Sequence, residues 1–174
     1  MLFKKPSLIK FSSVIVFLTG RRIALGIIKR LTTRKFPTVK WITTKEFAQW
    51  LEDPKKPQPI VLDARSEAEY AVSHLKNAER IDPNEPKLGV MESKPPIVVY
   101  CSVGYRSARI AEWLEQAGFT HVYNLEGSIF QWANEGRIMF KDDCPTIFVH
   151  PYNAVWGRLL KSQYRAEATQ VERS

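Results

Sequence analysis

Four branched or aromatic residues, Ile97-Val-Val-Tyr100, run without a polar break into Cys101, and a helical pattern opens a few residues later. So short an apolar run, preceded by a proline-containing loop over 82–96, reads as a strand buried on both faces. Downstream, Ile110, Trp113, Leu114 and Ala117 recur at the spacing of one helical face, and Gly118 supplies a C-terminal stop. A buried strand, a tight loop and an amphipathic helix in succession point to an α/β domain with a largely parallel sheet flanked by helices.

The flanking sequence extends the pattern. Val39–Ile42, Ile60–Asp63, Ala78–Ile81 and His121–Leu125 read as further strands. Thr43 with Glu46, and Ser66 with Glu69, form two capping boxes, so helices are expected to open at both points. Ser128 to Glu135 reads as a short helix stopped by Gly136. Residues 38–137 are therefore expected to form the domain, and 1–37 a basic, apolar N-terminal extension. Residues 138–174 are expected to form a tail that packs on the domain and frays from Lys161.

Charge separates these regions. The chain of 174 residues has a net charge of +8, but ten basic residues lie between Lys4 and Lys40 and the first acid is Glu46. The remainder holds sixteen basic and eighteen acidic residues, so the high pI is not a nucleic-acid footprint of the domain. Residues 11–20 are uncharged and largely apolar, yet spanning a bilayer takes about twenty such residues. No small-x-small cleavage site follows, which weakens a secretory signal. An organelle-targeting segment also fits the composition. Two other readings carry equal weight: a helix lying on an anionic membrane surface, and a helix packed on its own domain or on a partner. Two cysteines, Cys101 and Cys144, fit a reducing compartment, and a cytoplasmic location is expected, at a membrane surface if residues 1–37 dock there.

The loop after the buried strand carries the chemistry. A strand-to-helix turn aims backbone N–H groups inward, and such a cradle binds anions. A cysteine at its centre has a lowered pKa and is available as thiolate. Gly104 admits backbone conformations closed to other residues. Arg106 offers a fixed charge and a planar fork of donors, and Ser107 is placed as a helix N-cap.

Residues 39–137 resemble the rhodanese family. Cys-x-x-Gly-x-Arg-Ser at 101–107 matches its active-site loop, and Leu62-Asp-Ala-Arg65 followed by Glu69-Tyr70 and His74 matches its second signature. Ser73 and Asn77 depart from that signature, since glycine is frequent at both places. The resemblance implies a single-domain sulfurtransferase. Cys101 would take a sulfane sulfur from thiosulfate or a persulfide and pass it to cyanide, a thiol or a protein acceptor. It further implies that the amides of Ser102, Val103, Gly104, Tyr105 and Arg106 hold the transferred sulfur and that Arg106 receives the donor anion. Asp63 and Arg65 would support the loop from behind as an ion pair. No cofactor or metal is implied.

Competing readings are weaker. Cysteine-dependent phosphatases need Cys-x5-Arg, whereas Cys101 to Arg106 is one residue shorter and Ser107 fills the next position. A membrane-recruited module that carries sulfur for a protein partner is the alternative that keeps the same loop. Cys144 lies among acidic residues and reads as a bystander. His74 reads as structural, His121 and His150 lack metal spacing, and Tyr105 is expected at the loop tip, shaping the mouth.

Overall fold

The strand order β1-β5-β4-β2-β3 places the sequence's most apolar strand at the centre of a five-stranded, wholly parallel sheet. The structure is a computed structural model and describes residues 20–87 and 95–167. The strands are β1 (Lys40–Ile42), β2 (Ile60–Asp63), β3 (Ala78–Arg80), β4 (Ile97–Tyr100) and β5 (Val122–Leu125). All four residues of β4 are buried, because strands flank it on both sides and helices cover both faces.

Period-two alternation divides its side chains between two layers. Val98 and Tyr100 join a core with Phe47, Leu125, Ile129 and Phe130. Ile97 and Val99 join the other, with Ala108, Ile110, Ala111 and Leu114. The helices are α1 (Arg21–Lys35), α2 (Thr44–Glu52), α3 (Glu67–Val72), α4 (Tyr105–Gln116) and α5 (Ser128–Asn134). Both capping boxes are present, Thr43 with Glu46 opening α2 and Ser66 with Glu69 opening α3. Strand limits differ from the sequence expectation by at most one residue, the ordinary uncertainty of element ends.

Of the expected 1–37 extension, residues 21–35 form α1. Ala24, Leu25, Ile28 and Thr32 are buried against the domain, so one face of this helix is taken by the fold itself. The segment before Gly20 lies outside the described residues. No helix among the described residues is long and apolar enough to cross a membrane.

After α5 the chain forms an antiparallel hairpin, β6 (Met139–Lys141) and β7 (Cys144–Thr146). Asp142 and Asp143 turn it with positive φ of 47° and 62°, the geometry that matches strand twist in a two-residue hairpin. Order continues past Lys161. Ser162–Tyr164 forms a 3-10 turn, Val149 N–H donates to the Tyr164 carbonyl at 2.8 Å, and Ala166 N–H donates to the Val149 carbonyl at 3.0 Å. Val149, Leu159, Leu160 and Ala166 anchor this tail by burial. Residues 168–174 lie outside the described residues.

Candidate active site

Cys101 leaves the C-terminal end of β4, where ligands bind in open α/β sheets. Its residue is 1% exposed. The sulfur accepts the Gly104 N–H at 3.1 Å and the Ser107 hydroxyl at 3.4 Å. Burial pushes the thiol's pKa up. The Arg106 charge, the Ser107 hydroxyl and backbone, and the Gly104 amide outweigh that, so the pKa lies below its ordinary value.

The N-cap of α4 is Gly104, at φ 104°, and not Ser107 as the sequence suggested. The helix starts earlier because the glycine accepts a left-handed backbone in which a Cβ would also press on the Trp41 ring at 3.3 Å. Ser107 thereby falls inside the first turn, where its side chain faces the sulfur. Tyr105 is half-buried rather than exposed at the mouth. Its ring meets Phe36 edge-on at 5.8 Å and its hydroxyl accepts Lys35 Nζ at 2.5 Å.

The loop's carbonyls point away from the sulfur because other elements bind them. Ile129 and Phe130, in the first turn of α5, donate their N–H groups to the Cys101 and Ser102 carbonyls at 3.2 Å each. Ser128 Oγ accepts the Cys101 N–H at 3.1 Å, and Asn124 Nδ2 donates to the Gly104 carbonyl at 2.8 Å. Ser128 and Asn124 were not anticipated. Asn124, fully buried in an otherwise apolar strand, was the one signal available, since buried polar groups need partners.

Arg106 leads not into open space but to Glu69. Nη1 donates to Oε2 and Nη2 to Oε1, both at 2.7 Å, and Nη2 also reaches Ser102 Oγ at 2.9 Å. Of the five guanidinium hydrogens, the Nε–H and one on Nη1 have no hydrogen-bond acceptor among the described residues. Glu69 is 2% exposed and closes the Ser66 capping box while accepting both Arg106 and the Ser102 hydroxyl. Burial pushes its pKa up, but the hydrogen bond and charge of Arg106, with Arg65 and the Ser66 amide, hold it down at about 2.

Behind the loop, Arg65 Nη2 meets Asp63 Oδ2 at 2.6 Å, with both side chains wholly buried. The Tyr100 hydroxyl donates to the same Asp63 oxygen at 2.6 Å and accepts the Leu75 N–H at 3.0 Å. The ion pair thus bears on the residue directly before Cys101. Of the two departures, Asn77 takes φ 56°, a left-handed conformation that asparagine tolerates. Ser73 is extended at φ −172°, and its carbonyl accepts Arg65 Nη2 at 2.5 Å.

The tail supplies one wall. The Arg106 guanidinium lies 5.1 Å from the centre of the Tyr152 ring. His150 accepts the Tyr152 N–H on Nδ1 at 2.9 Å. Burial lowers the His150 pKa and Glu69 raises it, while Arg65 and Arg106 lower it further, for a net lowering. Cys144 is exposed, on β7.

The model of the rhodanese-like domain matches residues 43–135, more than half of the chain. This protein belongs to the rhodanese-like domain family. Among curated relatives, the tRNA uridine(34) hydroxylase of Buchnera aphidicola subsp. Acyrthosiphon pisum (strain Tuc7) is 30% identical over 116 residues. The match covers 62% of this chain and 34% of that protein, so the chain spans about a third of that relative's length. A rhodanese-related protein from Thermoplasma volcanium is 26% identical with a TM-score of 0.51, over 58% of this chain and 97% of that one. The rhodanese-like domain of an Anabaena protein shares the fold with a TM-score of 0.52 at 22% identity, over 59% and 80%. The tail that brings His150 and Tyr152 to the rhodanese loop lies beyond the matched residues.

Proposed function

We propose that this rhodanese-like protein is a sulfurtransferase that carries a sulfane sulfur as a persulfide on Cys101. The observation that carries this reading is the Cys101 sulfur itself, lowered in pKa and held by Gly104 N–H and Ser107 Oγ within a loop one residue too short for phosphate. The thiolate attacks the outer sulfur of the donor. With thiosulfate, the new S–S bond forms on Cys101 as the old one breaks, and sulfite leaves with the bonding pair. In the second step cyanide, a thiolate or a protein thiolate attacks the terminal sulfur, and Cys101 departs as thiolate. Loop amides from Ser102 to Arg106 are suited to hold the terminal sulfur. Asp63 and Arg65 act by fixing Tyr100.

Glu69 offsets the Arg106 charge, so the site lacks the uncompensated cation that a dianion would favour. Donors of low charge, such as alkyl persulfides, are therefore expected to show higher kcat/KM than thiosulfate. Two displacements through a covalent intermediate require ping-pong kinetics. Initial rates with varied donor and acceptor should give parallel double-reciprocal lines. Intersecting lines, or turnover surviving in Cys101→Ser, would contradict the reading.

A further inference from the structure

The corner where the described chain begins is basic, carries an exposed isoleucine and is built from α1 and the C-terminal tail. While α1 turns Ala24, Leu25, Ile28 and Thr32 into the core, the opposite line of Ile23, Gly26, Arg30 and Arg34 is exposed at the spacing of one helical face. Ile23 is 59% exposed. Arg22, Arg30 and Arg34 form no ion pair among the described residues, whereas Lys29 is bound to Glu126. At the helix's start, Arg21 Nε donates to the Arg158 carbonyl at 3.2 Å and so ties a 3-10 turn of the tail, Trp156–Leu159, alongside. Arg21, Arg22, Ile23 and Lys161 border a groove of about 610 Å³. Glu135 also borders it, but its carboxylate is held by Arg137 at 2.9 Å and by Thr44 at 2.8 Å. In the sequence, the uncharged and largely apolar residues 11–20 directly precede Arg21, and no acidic residue precedes Glu46.

We propose that this face, Ile23 to Arg34 with Arg21, Arg22, Arg158 and Lys161 at one end, is a docking surface for a negatively charged lipid bilayer. Cations interleaved with exposed isoleucine suit the boundary between headgroups and acyl chains. A nucleic acid would satisfy the arginines but leave Ile23 in water. The surface stands independently of sulfur transfer, since its exposed cations make none of the hydrogen bonds to the Cys101 sulfur, which come from Gly104 and Ser107.

Flotation of the full chain with vesicles of phosphatidylcholine, alone or mixed with phosphatidylserine, tests this. Binding is expected only to the mixed vesicles and should weaken with salt. The double substitution Arg30→Glu and Arg34→Glu should lower the bound fraction about tenfold or more, with persulfide loading of Cys101 unchanged. Equal binding of variant and parent, equal binding to both vesicles, or no flotation would overturn the proposal. So would retention on RNA without flotation, lost in the same double variant, which would assign the face to nucleic acid.

Discussion

Cys101 is nearly closed to solvent, yet its surroundings favour the charged form, because the Arg106 charge and the donors on Ser107 and Gly104 outweigh the cost of burial. Ser107 is the most removable of them. Ser107→Ala should move the pH profile of iodoacetamide alkylation upward and slow the neutral-pH reaction several-fold, with little loss of stability. An unchanged profile would mean that the 3.4 Å contact has no influence on the thiolate. Arg106 and Glu69 form a different kind of pair. Arg106→Met would leave Glu69 buried with only Ser66 and Ser102 as partners, which should cost on the order of 3 kcal/mol. It should also raise the Cys101 pKa, because the nearest positive charge is gone. Thermal denaturation and the same alkylation profile measure both effects. Arg106→Lys, which keeps charge but loses the fork, should fall between parent and Arg106→Met in each.

At the scale of elements, β4, the loop and α4 form one unit, and α5 holds it in shape from the other side of the sheet's end. Much of this was legible in the sequence. The run into Cys101, the two capping boxes and the glycine of the loop are local signals, and each produces the element it predicts. What escaped was long-range. Ser128 reaches back twenty-seven positions to the Cys101 N–H, and Glu69 reaches thirty-seven forward to Arg106. Spacing carries no trace of such pairs. The Ser107 cap failed for a local reason, since Gly104 could start the helix three residues sooner. The tail was equally silent, because Tyr152 finds Arg106 only through the docking of Val149. Tyr152 holds φ 65°, uncommon for a bulky residue, and its ring lies on the guanidinium. Tyr152→Ala should raise the donor KM a few-fold, with kcat little changed. Tyr152→Phe, which retains the ring, should behave as the parent. Equal defects in both variants would show that the ring–guanidinium contact is not what matters.

For the molecule as a whole, the same buried pair contributes to the response to acid. Glu69 has a pKa of about 2 in the folded protein against an ordinary 4.5. Its stabilising contribution is therefore complete above 4.5 and is lost as pH falls from there towards 2. The amount is on the order of 3 kcal/mol. Urea midpoints taken across that window should fall steeply for the parent and more gently for Glu69→Gln. Parallel declines would place the acid sensitivity elsewhere. The exposed cations of α1 supply none of the donors to the Cys101 sulfur, so the chemistry can be tested apart from placement. The most direct test is the intact mass after incubation with thiosulfate or an alkyl persulfide and removal of excess donor. A gain of one sulfur atom is predicted for the parent and for Cys144→Ser, and none for Cys101→Ser. No adduct on the parent with either donor, or an adduct that persists in Cys101→Ser, would contradict a persulfide carried on Cys101.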